Sequence, residues 1–96
     1  MIEVHVKKTK ILVWGHAGYA PPGQDIVCAA VSVLAQILGR ALGNLANEQI
    51  QYSIKPGAID IRRKRPTKKG DLLVDAFFIG ICGIVDAYPD HVHICP

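Results

Sequence analysis

The sequence predicts an α+β fold with two layers, in which a mainly antiparallel sheet carries two apolar helices. Short segments that alternate apolar and polar residues open the chain and recur in its middle, as expected of strands. Two long apolar segments have helical spacing, and residues rich in glycine and proline separate them from the strands. With 96 residues, half of them hydrophobic, the chain is expected to form a single domain over residues 1–96.

The first element is a strand in which Ile2, Val4 and Val6 alternate with polar residues. Lys7–Lys10 resembles a turn, and Ile11–Trp14 then forms a second short strand. One bent strand over the same span is the alternative that the pattern leaves open.

The segment Gly15–Gln24 holds three glycines and two prolines in ten residues, which excludes regular structure. It is expected to be a surface loop beside reactive side chains, and such loops often control access to a site. The residues assigned to this substrate or gating loop are Gly18, Tyr19, Pro21, Pro22, Gly23 and Gln24.

Asp25 is a good helix N-cap, and a helix is predicted from Ile26 to about Asn47. Its polar and small residues form only one narrow stripe, so the helix is expected to be largely buried against the sheet and a partner subunit. Gly39 and Gly43 would allow a close helix approach there.

The middle of the chain predicts a hairpin, with a strand through Ile50 and Ile54, a Pro56-Gly57 turn and a return strand from Ile59. A second helix is predicted from Asp71 to about Tyr88, where Pro89 ends it, and a short last strand follows. The positions of this helix predicted to be buried are Leu72, Leu73, Phe77, Phe78, Ile81, Ile84 and Val85.

The composition argues against several classes of protein. The three cysteines, an odd number without a CxxC pair, do not form a disulfide scaffold. The chain shows no signal peptide, and its longest apolar stretch is interrupted by polar residues, so a cytoplasmic protein without a membrane span is expected. No cofactor is expected, and no metal either, because His91, His93 and Cys95 lack a standard zinc spacing.

Six of the eight residues from Arg62 to Lys69 are basic. A solvated hairpin tip explains such a cluster, and so does an electrostatic contact with RNA or with an acidic partner. The residues that would make a weak contact of that kind are Arg62, Arg63, Lys64 and Arg65.

Cys28 falls in the first turn of the predicted helix, where unpaired N–H groups and the helix dipole favour a thiolate. His16 lies in the preceding loop and can fold back over the helix start. A thiol with an imidazole in reach is the minimum unit for nucleophilic acyl transfer. Spacing alone also allows Cys28 to be an inert core residue and His16 an ordinary loop histidine.

The motif Gly15–Ala20 followed by Gly23–Ser32 resembles the signature of the ribosomal-processing cysteine proteases, the Prp family. The stretch Asp75–Ile81 and the pair Tyr88-Pro89 are similar to the same family. The resemblance implies a homodimeric cysteine endopeptidase with Cys28 as nucleophile and His16 as base.

The resemblance also implies the substrate, a ribosomal large-subunit protein precursor that loses a short N-terminal extension. Phage relatives act on capsid or scaffold proteins with a similar segment, and the sequence fits either setting. The alternative from another class is a non-enzymatic ribosome- or RNA-associated binding module in which Cys28 is incidental.

Three residues of the motif are expected to support the pair, namely Gly15, Asp25 and Ser32. Asp25 caps the helix, or it orients His16 as the third member of a triad. Ser32 lies one turn beyond Cys28, where it packs or contacts substrate.

Overall fold

The computed structural model describes residues 1–96 and has seven elements of secondary structure. The strands are β1 (Ile2–Val6), β2 (Lys10–Trp14), β3 (Ile50–Lys55), β4 (Ala58–Arg63) and β5 (Val92–Cys95). The helices are α1 (Ile26–Asn44) and α2 (Lys68–Ala87). The strands form one sheet in the order β3-β4-β2-β1-β5, and only the β1–β5 pair is parallel. The predicted α+β class with a mainly antiparallel sheet is confirmed.

The N-terminal segment forms two strands and not one bent strand. β1 and β2 pair antiparallel, and the Lys7 N–H closes the turn on the Lys10 carbonyl at 2.9 Å. Alternate residues of each strand face the helices: Val4 and Ile11, for example, are fully buried, whereas Glu3 and Trp14 are exposed. One face of the sheet therefore carries the core and the other is open to solvent.

α1 begins at Ile26 as predicted but ends at Asn44, before the predicted Asn47. The N–H groups of Leu45 and Ala46 both turn back to the Ala41 carbonyl, which closes the last turn. Asn47 then adopts a φ of 54°, and this left-handed residue redirects the chain into β3.

α2 begins at Lys68, three residues before the predicted start at Asp71. The Thr67 hydroxyl caps it by accepting from the Gly70 N–H at 3.0 Å. The helix ends at Ala87, close to the predicted end before Pro89.

The two helices expose more apolar surface than predicted. Leu72 and Phe78 of α2 were expected to be buried but are 71% and 39% exposed. α1 likewise presents Ile26, Val33 and Ile37 to solvent. Helices that are apolar on nearly every side do not reveal from sequence which side meets the sheet.

The two α1 glycines differ in their surroundings. Gly39 packs against the ring of Tyr52 on β3, and no atom lies within contact distance of a side chain added at Gly43. The two helices approach each other closely at Gly80 of α2, which lies against Leu34 of α1.

By length and composition alone, α1 could cross a membrane, with a mean hydropathy of 1.8. In the fold it is a core helix. Its buried side chains are Val27, Val31, Ala35, Leu38 and Leu42.

The basic segment is not a hairpin tip, because Arg62 and Arg63 belong to β4 and the tip is the Pro56-Gly57 turn. Arg63 cannot contact RNA, since its side chain is only 1% exposed. Its guanidinium forms two 2.7 Å bonds to the buried carboxylate of Glu48 and a 3.0 Å bond to the Lys8 carbonyl. A 3.0 Å ion pair to Asp71 then ties this end of the sheet to α2.

Candidate active site

Three parts of the chain meet where β2 leaves the sheet: the loop that begins at Gly15, the first turn of α1, and the tip of the β3–β4 hairpin. The Gly15 N–H donates to the Gly57 carbonyl at 2.8 Å, which joins the loop to the hairpin tip. Gly15 has a φ of +96°, and a side chain there would overlap the Met1 carbonyl. Only glycine satisfies both conditions, so the supporting position predicted for Gly15 has a steric basis.

Cys28 is half-buried in the first turn of α1, and its thiol faces the loop. The backbone N–H of Ala17 donates to Cys28 Sγ at 3.2 Å. The spacing of residues in the sequence gave no indication that Ala17 has this position.

The His16 side chain is exposed, but its backbone is held on both sides. The Met1 main-chain nitrogen donates to the His16 carbonyl at 2.5 Å, and the N–H of the neighbouring Ala17 donates to Cys28 Sγ. The ring lies against Gly57, where an added Cβ would be 2.7 Å from His16 Nε2. No hydrogen bond joins His16 to Cys28 in this arrangement. In enzymes without substrate, catalytic hydrogen bonds are often long and tighten only when substrate binds.

Two grooves meet at His16, Cys28 and Ser32, which line both of them. The first, about 360 Å³, extends towards the hairpin tip around Pro56. The second, about 500 Å³, lies under the loop beside Pro22. The thiol therefore sits where an extended chain passing from one groove to the other would cross it.

Asp25 caps α1 as predicted, with Oδ1 accepting from the N–H groups of Val27 and Cys28 at 3.0 Å each. Oδ2 accepts from Tyr19 at 2.9 Å and Ala20 at 3.3 Å, so the same carboxylate holds the loop. These bonds, that of the Cys28 N–H above all, lower the pKa of Asp25. No hydrogen bond or ion pair joins Asp25 to His16 in this arrangement.

These bonds also change what the first turn of α1 can do. Free N–H groups at a helix start can stabilise an oxyanion, but those of Val27 and Cys28 both donate to Asp25. The donor that faces the thiol is Ala17 of the loop. Ser32 accepts from Gln36 at 2.9 Å and still lines both grooves, in keeping with a substrate contact.

The loop is fixed at its middle by residues near the C-terminus. The Tyr19 ring makes edge-to-face contacts with the rings of Tyr88 and His91, each with centroids 5.4 Å apart. His91 Nδ1 also lies 2.9 Å from the Ala17 carbonyl. The second half of the loop is exposed and closes with a turn from the Gln24 N–H to the Pro21 carbonyl. His91 lies 63 positions after Cys28 in the sequence, so the motif around Cys28 gives no sign of its contact with the loop.

Comparison with known proteins agrees with this geometry. The family model of the cysteine protease Prp matches residues 1–93. The ribosomal processing cysteine protease Prp of Mycoplasma genitalium is 27% identical over 98% of this chain and 94% of its own length.

Solved structures give the same result. SMU.848 from Streptococcus mutans is 32% identical, with a TM-score of 0.78 over 98% of this chain and 91% of its own. The ribosomal processing protease Prp from S. aureus, in complex with a covalently linked product peptide, has a TM-score of 0.85 at 21% identity. That match covers 97% of this chain and 94% of the other, and it supports the fold.

Proposed function

Because the chain belongs to the cysteine protease Prp family, it is a cysteine protease, and we propose that it removes a short N-terminal extension from a ribosomal large-subunit protein precursor. The setting that this implies is the cytoplasm, where ribosomal subunits are assembled. The whole of residues 1–96 would act as one protease domain.

The observation that carries the proposal is the meeting of two grooves at Cys28 and His16. A peptide in extended conformation needs binding space on both sides of the bond that is cut, and each groove supplies one side. The first groove is mostly apolar, with Ile2, Val13 and Ile54 among its lining residues. It therefore favours apolar side chains of the substrate.

In the proposed reaction, Cys28 Sγ attacks the scissile carbonyl carbon, and a thioester forms as the C–N bond breaks. His16 takes the thiol proton and gives it to the leaving amine. A water molecule, deprotonated by His16, then hydrolyses the thioester and restores the thiol. Since His16 is exposed and its ring is not bonded to Cys28, we propose that bound substrate brings the ring to sulfur.

The test is cleavage of a purified ribosomal precursor that carries an N-terminal extension, read by mass spectrometry. Wild-type protein should yield one new N-terminus, whereas Cys28→Ala and His16→Ala should yield none. Cys82→Ala, which removes a half-buried thiol on α2, is the matched control and should cleave like wild type. Cleavage by Cys28→Ala would contradict the assignment of the nucleophile.

If the wild type leaves the precursor intact, alkylation of Cys28 by iodoacetamide separates two explanations. Fast alkylation that slows in His16→Ala indicates a protease for another precursor, such as a phage capsid or scaffold protein. A Cys28 that reacts no faster than Cys82 indicates the binding module.

We further propose that two copies associate through α1. Ile26, Val33 and Ile37 are spaced by seven and four residues, lie on one helix face, and are 51–58% exposed. Ile37→Glu should give a monomer in light scattering after gel filtration. Leu72→Glu, at an even more exposed apolar position of α2, should leave the dimer intact, and a wild-type monomer would contradict the proposal.

A basic surface also favours cleavage of a precursor that is already part of a ribosomal particle. Eight of the eleven Lys and Arg residues surround the buried Arg63 at one end of the molecule. They are Lys7, Lys8, Lys10, Arg62, Lys64, Arg65, Lys68 and Lys69. Lys68 and Lys69 stand in the first turn of α2, where the helix dipole disfavours positive charge, so helix stability does not account for them.

We propose that this surface makes a weak contact with ribosomal RNA phosphates. Lys64→Glu combined with Arg65→Glu should slow cleavage of a precursor bound in a large-subunit particle and leave cleavage of the free precursor unchanged. Added salt should reproduce this difference with wild-type protein. Equal rates on the particle for variant and wild type would refute the contact.

A further inference from the structure

The open face of the sheet brings together three residues of the types that bind transition metals. Glu3 and His5 project from β1, and Cys95 projects from β5. The two strands are parallel, with His5 directly opposite Cys95 in the register. One potential ligand atom from each side chain lies within 4.8 Å of the other two. The sequence pattern had grouped Cys95 with His91 and His93, but His91 faces the Ala17 carbonyl.

The spacing of these atoms suits tetrahedral zinc. Cys95 Sγ lies 3.7 Å from a carboxylate oxygen of Glu3. In a tetrahedron with a Zn–S bond of about 2.3 Å and a Zn–O bond of about 2.1 Å, these two atoms are about 3.6 Å apart. A ring nitrogen of the third ligand, His5, lies within 4.8 Å of both of these atoms.

The kinds of ligand also decide between metals. A thiolate and an imidazole select zinc or a similar transition metal, whereas Mg²⁺ and Ca²⁺ require sites made of oxygen. One carboxylate, one imidazole and one thiolate leave a fourth tetrahedral position, which water fills in open zinc sites.

We propose that Glu3, His5 and Cys95 bind one Zn²⁺ ion, with water as the fourth ligand. The Cys95 thiol gives up its proton to solvent when sulfur binds the metal. Because its ligands come from two strands, the ion would clamp β5 onto β1. β5 is an edge strand whose only strand partner is β1, and it follows directly after His91, which holds the active-site loop. The ion would therefore stabilise the strand that follows directly after the His91 contact.

The chain carries its own reporter for this site. Trp14, the single tryptophan, is directly opposite Glu3 on the neighbouring strand β2. Co²⁺, used as the probe in place of Zn²⁺, should quench Trp14 fluorescence at one equivalent and give thiolate-to-cobalt absorption in the near ultraviolet. The protein for this titration is Cys28→Ala, since Cys28 and His16 could themselves bind the metal.

Cys95→Ser in that background should abolish the absorption, and Glu3→Gln or His5→Ala should weaken affinity at least tenfold. Cys82→Ala, which removes the remaining thiol, should leave both signals unchanged. Zn²⁺ should displace the Co²⁺ and raise the melting temperature of Cys28→Ala but not that of its Cys95→Ser derivative. Absorption that survives Cys95→Ser, or the lack of saturable quenching in a folded Cys28→Ala protein, would overturn the proposal.

Discussion

Replacing Gly57, which lines the first groove beside His16, should displace the His16 ring. An added Cβ at Gly57 would lie 2.7 Å from His16 Nε2 and 3.1 Å from Cε1, whereas ordinary contacts begin at 3.4 Å. The ring must therefore move by at least 0.3 Å at Nε2, and by 0.7 Å to regain an ordinary contact. Misplacing a reacting group by about 1 Å can cost about 100-fold in rate, so Gly57→Ala should lower kcat/KM by about 10- to 100-fold.

The same substitution also strains the backbone, and the two effects need separating. Gly57 has a φ of +73°, where alanine costs roughly 1–2 kcal/mol of stability. Asparagine tolerates this region better but still carries a Cβ. Gly57→Asn should therefore lose as much activity as Gly57→Ala while unfolding at a higher urea concentration.

The assays are precursor cleavage and, independently of any substrate, the rate of Cys28 alkylation at neutral pH. Asn47→Ala serves as the control for strain, because Asn47 also has a positive φ and lines neither groove. It should lower stability and leave both rates unchanged. If Gly57→Asn cleaves and alkylates within twofold of wild type, the argument that Gly57 positions His16 is refuted.

Two further predictions concern stability and the loop. The hydrogen bonds from Arg63 lower the pKa of the buried Glu48 from 4.5 to about 2. This carboxylate therefore stabilises the fold fully above pH 4.5, and the stabilisation is lost as the pH falls towards 2. Glu48→Gln should cost about 3 kcal/mol at pH 7, and urea unfolding should show the difference from wild type shrinking below pH 4.5; a constant difference would contradict this. His91→Ala removes the bond to the Ala17 carbonyl, so proteinase K should cut the Gly18–Gln24 loop severalfold faster, whereas His93→Ala, on the exposed side of β5, should match wild type.

Local patterns in the sequence predicted most of the fold. The alternation of apolar residues defined the strands, and Asp25 located the start of α1 to the residue. The family motif selected Cys28 and His16, and the fold places both on the walls of the same two grooves. These features depend on neighbours along the chain, which is why a single sequence reveals them.

The features that the sequence could not reveal depend on distant partners. Arg63 looked like part of a solvated basic run because its carboxylate partner, Glu48, is 15 positions away, in the connection between α1 and β3. Leu72 and Phe78 looked buried because α2 is apolar on most sides. Gly57 was recognised only as a turn residue, since nothing near it in sequence points to His16.

Asp25 illustrates how one residue can have two roles that sequence treats as alternatives. Oδ1 serves the helix and Oδ2 serves the loop, so in this arrangement neither oxygen is left for His16. In Asp25→Asn, the amide oxygen can replace only one carboxylate oxygen, and the NH₂ group cannot accept from the other pair of donors. The helix cap should persist, because its two donors, Val27 and Cys28, belong to a single helical turn. The loop, held by Tyr19 and Ala20, should be released.

Amide hydrogen exchange distinguishes these two sets of donors in Asp25→Asn. The Tyr19 and Ala20 amides should exchange faster than in wild type, while those of Val27 and Cys28 stay protected. Slower Cys28 alkylation with full protection at Tyr19 and Ala20 would instead mean that Asp25 acts through His16, as a triad member does. If the bonds from Tyr19 and Ala20 to Asp25 must break before His16 can reach this carboxylate, loop release and catalysis are successive steps. Comparing amide exchange with Cys28 alkylation in Asp25→Asn tests that order.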